Sequence, residues 1–334
     1  MQLTRLSIII PVYNVEKYIS RCLDSIFRLG LQEQEYEVIC VDDCSTDSSS
    51  AIIDEYVASH PNLIHLFHKN NKKQGGARNT GINYSKGEYI VFVDADDFLP
   101  TVDYETLLDY MDNNQLELLI GSANILKKDG TVLRWGNAPL SESRIMTGPE
   151  LFIEEYINRI AYGVVWIGVY KSSLVKRIKP FRENVPYEDT DWTMQCAYDS
   201  IRVQFKPILL YYYVENVSST TKALSIMSLV DRVKQSLIVW NWAQSTEQYH
   251  NEVMYAIEDY CSWNLSCLKS LKNFNNTNRK LFYNSFSNDE FRIMKQWKMG
   301  GGWMKIIKYP SFYRFGLNVI SPLYRLGRLL KRLM

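Results

Sequence analysis

The sequence predicts an α/β protein: a mostly parallel sheet flanked by helices, followed by a helical C-terminal region. Three observations predict it. Short apolar runs alternate with helix-period segments through the first 125 residues. The apolar runs are nearly continuous, as in strands buried on both faces of a sheet. Polar helix-start residues follow several of the runs, so the connections lead from strands into helices.

The elements follow in order. Residues 6–10 are a β-branched run ended by Pro11, and apolar side chains at Val15, Ile19, Cys22, Leu23, Ile26 and Phe27 then recur at helical spacing. Residues 37–41 read as a strand and 48–58 as a helix behind a Ser/Thr/Asp start signal. Residues 63–67 are a strand, 75–84 a helix opening on two glycines, 89–93 a buried strand, 102–111 a helix and 116–122 a strand. Beyond Asn124 the alternation weakens. Lys128-Asp129-Gly130 reads as a hairpin turn, Thr147 to Glu150 as a capping box opening a helix to Arg159, and residues 164–170 as β-like. Residues 192–200 read as helix, 208–214 as strand, and 223–286 as helical and rich in Trp and Tyr. This divides the chain into an α/β domain (1–222), a helical extension (223–290) and a basic tail (291–334).

In a sheet of this kind ligands bind beyond the carboxyl ends of the strands. Those ends carry acid: Asp42, Asp43 and Asp47 after one strand, Asp94, Asp96 and Asp97 after another. Like charges gathered at one edge repel unless a cation or other partners compensate them. Asp94 and Asp96 are one residue apart, so on an extended stretch both point the same way. Such hard oxygen donors suit Mg²⁺ or Mn²⁺, with a ligand's phosphates completing the shell. A calcium-hand reading of the Asp94 segment fails, because Leu99 stands where the turn requires glycine. Asp47 has the alternative role of capping the next helix.

Four motifs in this order carry a resemblance: PVYN at 11–14, VDDCSTD at 41–47, GGARNTG at 75–81 and GEYIVFVDADD at 87–97. A fifth, YEDTDW, lies at 187–192. Together they resemble the family 2 glycosyltransferases, inverting enzymes of the GT-A fold, over roughly residues 5–220. The resemblance implies a nucleotide-sugar donor, a UDP-sugar favoured, whose base meets Pro11, Tyr13 and Asp43, with Asn14 and Asp42 close by. It places Ala77 and Arg78 near the ribose and diphosphate, Asp94 at the ribose or the metal's waters, and Asp96 on the metal, Mg²⁺ or Mn²⁺. Asp189 is implied as the general base, with Glu188 its positioning neighbour and Asp191 its rival. The bland alternative is that these three acids only stabilise a helix N-terminus. No Gln-x-x-Arg-Trp follows the ED pair, so the chain does not resemble a processive polysaccharide synthase.

The net charge of +1 conceals an asymmetry. Residues 291–334 hold ten basic residues and no acidic one, which leaves −9 on the first 290. A helical wheel from Leu323 separates Leu and Met from Arg325, Arg328, Lys331 and Arg332, and Trp297, Trp303 and Tyr309 are interleaved with Lys upstream. That composition suits an anionic membrane surface, with packing on the acidic body as the alternative. With it goes a glycan or lipid-linked acceptor and a cytoplasmic, peripheral location. Near-neutral charge and the lack of a base-reading fold argue against nucleic acid. Six cysteines without a stapled spacing imply free thiols; zinc at Cys40/Cys44 or Cys261/Cys267 lacks a second ligand pair. Two rival functions remain: a sugar nucleotidyltransferase, which needs a Gly-rich basic loop that PVYNVEKY does not provide, and a nucleotide-sugar-binding protein without catalysis.

Overall fold

A computed structural model describes residues 4–135, 142–151, 163–216, 225–247, 250–265, 270–271 and 273–297. The chain divides into two compact units, residues 1–219 and 220–334.

In the first unit, strands β1 (Leu6–Val12), β2 (Tyr36–Asp42), β3 (Leu63–Phe67), β4 (Tyr89–Phe92), β5 (Leu118–Leu126), β6 (Val132–Arg134), β7 (Gly168–Lys171) and β8 (Val203–Val214) form one sheet. The order is β3-β2-β1-β4-β7-β5-β6, and β8 lies along the other edge of β5. β1 to β4 run parallel, as do β5 and β8; β6 and β7 run against their neighbours. The sheet is therefore mixed in its second half, where the sequence alternation had weakened. Of the segment read as β-like at 164–170, residues 168–170 lie in β7 and the preceding Val165–Ile167 form a 3-10 turn. The described helices are α1 (Ile19–Ile26), α2 (Ser49–Val57), α3 (Lys73–Tyr84), α4 (Tyr104–Asn113), α5 (Ser172–Arg177) and α6 (Glu188–Asp199).

Three differences from the sequence reading are local. β1 continues through Pro11, which pairs in register with Val41. The Ile9 carbonyl accepts from Val93 of the β4 side and the Val12 carbonyl from Asp43 of the β2 side. Alternation turns the Pro11 nitrogen toward the β4 side, past the last residue of β4, where no ladder bond is lost. α1 begins at Ile19; ahead of it Val15 N–H donates to Ser49 Oγ (2.8 Å) and Glu16 N–H to Asp47 Oδ2 (3.1 Å), which tie this segment to the start of α2. α6 begins at Glu188, earlier than read, after Tyr187 reverses the chain at φ 58°. The ED pair thus opens a helix.

The glycines of GGARNTG answer to packing. A Cβ at Gly81 would lie 2.4 Å from Ile9 Cγ2, and one at Gly75 would lie 2.2 Å from the Arg182 carbonyl oxygen. Only hydrogen at these positions lets α3 lie against β1 on one side and the segment before α6 on the other. The K-D-G turn forms as read: Lys127 N–H donates to the Thr131 carbonyl and Gly130 takes φ 84°. Glu150 closes back on Thr147 N–H (2.8 Å), while most of the helix read beyond it lies outside the described residues.

The second unit contains α7 (Ile226–Ala243), α8 (His250–Leu265), α9 (Asn276–Asn284) and α10 (Asn288–Gln296). Ser225 with Ser228 and Ser287 with Glu290 form capping boxes. Trp297, which the sequence reading counted among interfacial aromatics, is 2% exposed and its ring lies 5.8 Å from Trp240. It is a core residue of this unit. The rest of the basic tail, residues 298–334, lies outside the described residues. No helix among the described residues is long and apolar enough to cross a membrane.

Candidate active site

The carboxyl ends of β1, β2 and β4 meet at one edge of the sheet, and two groups of acids gather there. The first stands at the β1–β2 corner. Asn14, at φ 53°, accepts from Thr46 N–H (2.8 Å), and its own N–H donates to Ser45 Oγ (3.1 Å), so it fastens the two loops together. Asp42 Oδ1 accepts from Ser45 N–H at 2.7 Å. Asp47 accepts from Ser49 N–H at the start of α2 (2.9 Å) and from Glu16 N–H. Burial opposes its charge, but these hydrogen bonds prevail and hold its pKa below the ordinary value.

Asp43 is the exception in this corner. Its Oδ1 accepts from Lys72 N–H (2.8 Å) and is 2.7 Å from His68 Nδ1, yet its Oδ2 is buried with no partner. A buried acceptor left unpaired costs about 1–3 kcal/mol, so a retained one points to a ligand donor. Pro11 is buried beneath this corner, and Tyr13 leaves it with half its surface exposed.

The second group follows β4. Residues 94–97 form a tight turn, with Asp97 N–H donating to the Asp94 carbonyl (3.0 Å), rather than the extended stretch expected from their spacing. The carboxylates are nevertheless close enough to act on one another. Burial first, then the Asp94 charge, raises the pKa of Asp96, while a hydrogen bond from Asn216 Nδ2 (2.9 Å) opposes the shift. Asp97 is raised further, again by burial and then by Asp96 and Asp94. Its oxygens accept from Tyr211 Oη–H (2.8 Å) and Val214 N–H (2.7 Å), and Tyr211 Oη accepts from Asp94 N–H (3.0 Å). Asp97 and Tyr211 therefore tie the end of β8 to the acid turn.

Arg78 joins this turn to the ED pair. It lies in α3, 1% exposed; its guanidinium donates to Glu188 Oε1 through Nη1 and to Asp94 Oδ1 through Nη2 (2.8 Å). Burial alone would lower its pKa, but Asp94 and Glu188 raise it above the ordinary value, so the side chain stays charged. Nη1 and Nη2 of Arg78 each donate to one carboxylate, its Nε is buried without a partner, and Ala77 is buried next to it. Asp189, only partly accessible, lies within this field. Burial and then the Glu188 charge push its pKa up to about 8, with Arg78 opposing. Asp191 is held by Arg182, with Nη2 2.9 Å and Nε 3.2 Å from its Oδ1.

The residues present fit a divalent cation. Arg78 takes one oxygen of Asp94 and Asn216 one oxygen of Asp96. Two carboxylates suffice for Mg²⁺ or Mn²⁺ when phosphates complete the shell. Among the described residues no group of three or more His, Cys, Asp or Glu could by itself hold a metal ion. Beside Asp96 opens a cleft of about 470 Å³ lined by Tyr18, Arg21, Lys127, Lys128, Glu215 and Asn216. Arg21 Nη2 donates to the Asp96 carbonyl at 2.7 Å on its rim.

Sequence reasoning gave no role to Asp97, Tyr211, Asn216 or His68. Only Asp97 had a visible signal, as the last acid of DADD. The others reach the site through pairing of β5 with β8 and through the β3–α3 connection, which no local spacing encodes.

The mixed sheet, the acid turn after β4 and the ED helix are those of a GT-A fold. The profile of the family described as glycosyl transferase family 2 matches residues 7–178, and the chain belongs to this family. It is 31% identical over 221 residues to the uncharacterized glycosyltransferase EpsJ of Bacillus subtilis (strain 168), covering 65% of this chain and 62% of EpsJ. It is 32% identical over 213 residues to the poly(ribitol-phosphate) beta-glucosyltransferase of Bacillus spizizenii, covering 63% of this chain and 32% of that protein. The chain thus spans less than two thirds of the length of these relatives. Among solved structures, Staphylococcus aureus TarS 1–349 in complex with UDP-GlcNAc superposes with a TM-score of 0.71 at 20% identity, covering 97% of this chain and 92% of that one. That similarity is one of fold.

Proposed function

We propose that the chain transfers a single sugar from a UDP-sugar to an acceptor hydroxyl with inversion at the anomeric carbon. The observation that carries this reading is the buried Arg78 bridge. It brings Asp94, from the end of β4, and Glu188, from the start of α6, to one guanidinium and so sets Asp189 at the same sheet edge. Asp189 takes the acceptor's proton as the acceptor oxygen bonds to the anomeric carbon and the bond to the nucleoside diphosphate breaks. A base raised to about 8 is a stronger proton acceptor than an ordinary carboxylate, provided it is ionised. Asp94 and Asp96 would hold Mg²⁺ or Mn²⁺, which when bound neutralises charge on the departing diphosphate. Asp43 Oδ2 suits the imide N–H of uracil, and the exposed Tyr13 ring suits its face. The crystal partner of TarS, UDP-GlcNAc, is in keeping with a UDP-sugar here.

The acceptor proposed is a glycan of a lipid-linked or surface-polysaccharide intermediate, reached by the basic tail resting on an anionic membrane from the cytoplasmic side. Release of UDP from a panel of UDP-sugars, with and without chelator, tests the donor and the metal. UDP release that persists in EDTA removes the metal from the proposal, and no turnover of any nucleotide-sugar removes the enzyme. The anomeric configuration of the product by proton NMR tests inversion. Flotation with anionic liposomes tests the tail: binding that survives truncation at Gly300 excludes it.

A further inference from the structure

We propose that His68 is a positioning residue for donor selection, holding Asp43 so that one carboxylate oxygen alone is presented to the nucleotide base. The inference rests on the reading of Asp43 as the base-binding acid.

His68 follows β3, at the edge of the sheet, where its position suggests no function. Its backbone N–H donates to the Asp42 carbonyl (2.8 Å), which turns its side chain inward to 8% exposure. Nδ1 lies 2.7 Å from Asp43 Oδ1 and Nε2 lies 2.7 Å from Thr80 Oγ1. An ionised carboxylate can only accept, so Nδ1 carries the hydrogen. In the neutral imidazole Nε2 is then an acceptor, and the Thr80 hydroxyl, free to rotate, donates to it. Thr80 belongs to α3, whose close approach to β1 is fixed by Gly81. The relay Thr80–His68–Asp43 thus runs from a rigid helix to the end of β2.

Its consequence is geometric. Oδ1 of Asp43 accepts twice, from His68 and from Lys72 N–H, while Oδ2 is buried and accepts from nothing. Two donors on one oxygen fix the carboxylate's rotation and aim the other oxygen. Uracil offers an N–H at the position where cytosine has a lone pair. A fixed Oδ2 therefore favours uridine and repels cytidine, whereas a carboxylate free to rotate discriminates less.

The test is titration of UDP and CDP in Mg²⁺ into the full chain carrying His68→Asn, His68→Leu or Thr80→Val. Wild type is expected to prefer UDP. His68→Asn, whose amide nitrogen stands where Nδ1 does, keeps that preference within about threefold; His68→Leu narrows it by about tenfold. Thr80→Val, which leaves Nδ1 in place but removes its support, narrows it by about threefold and serves if the Leu variant does not fold. A merely structural role weakens both nucleotides alike and leaves the ratio unmoved. Leu and Val variants with the wild-type ratio overturn the proposal, as does an Asn variant that loses as much as Leu. Equal binding of UDP and CDP by wild type overturns the base reading itself, and the relay with it.

Discussion

The two acid groups at the sheet edge are compensated in different ways. At the β1–β2 corner the carboxylates are met by backbone and side-chain donors: Asp42 by Ser45, Asp47 by Ser49 and Glu16, Asp43 by Lys72 and His68. After β4 they face one another. Asp96 and Asp97 are raised by burial and mutual repulsion, Asp189 by burial and Glu188, and one buried cation, Arg78, serves the cluster. The first group is suited to hydrogen-bonded recognition and needs no cation. The second is compensated less completely, and burial and mutual charge raise its acids. The sequence reading treated both as one repelling set; their hydrogen bonds separate them.

The sharpest break of this comparison is at the raised base. Asp189→Asn should lower turnover by about 10³-fold or more while UDP affinity stays within about twofold, measured by UDP release and by titration. Asp191→Asn should cost less than about tenfold, because Asp191 is engaged by Arg182. The reverse pattern would move the base to Asp191. Next in size is the shared cation. Arg78→Met leaves Asp94 and Glu188 without it, a loss of about 3–5 kcal/mol that should lower Tm by about 10 °C. Asp42→Asn, in the other group, keeps an oxygen for Ser45 N–H and should move Tm by only about 2 °C. Equal falls for the two variants would erase the distinction. Tyr211→Phe removes the hydroxyl that donates to Asp97 and accepts from Asp94 N–H. About 1–3 kcal/mol, or about 5 °C in Tm, should follow.

The legible part of the molecule was the part whose signals are local. Strands β1 to β4 and helices α1 to α4 were found from periodicity, with some ends displaced, as at α1, where Asp47 and Ser49 tie the preceding segment to the start of α2. The acids of the site were visible because they sit directly after strands. Their chemistry was not. That Arg78 pairs with Glu188 depends on α6 arriving 110 residues later. That Asp97 is structural depends on β8 crossing to β5, and nothing near Asp97 in the chain announces Tyr211. His65 lies within β3 and His68 just after it. His65 Nδ1 meets Asp54, on a surface helix, whereas His68 meets the acid with the unpaired oxygen.

A further effect separates the two groups by pH alone. Asp189 binds its proton up to about pH 8 when folded, but only to the ordinary carboxylate range when unfolded. Between those values the folded state holds the extra proton, so stability falls as pH rises through the window. Asparagine has no such proton. In EDTA, Asp189→Asn should therefore match wild type in Tm near pH 4 and exceed it by about 3 °C near pH 8, once solvent screening of the partly accessible side chain is allowed for. Mg²⁺ with UDP should shrink that gap, because a cation held at Asp94 offsets one of the charges that raise Asp189. Asp47→Asn should behave in the opposite sense, since its folded pKa is depressed. Its stabilising contribution is present at neutral pH and fades as pH falls below the carboxylate range, so the variant is the less stable one at pH 7 and converges with wild type in acid. A gap that moves the same way with pH in both variants would mean that the β4 acids are compensated as fully as those of the β1–β2 corner, and that the protein's own donors already do the work assigned to the metal.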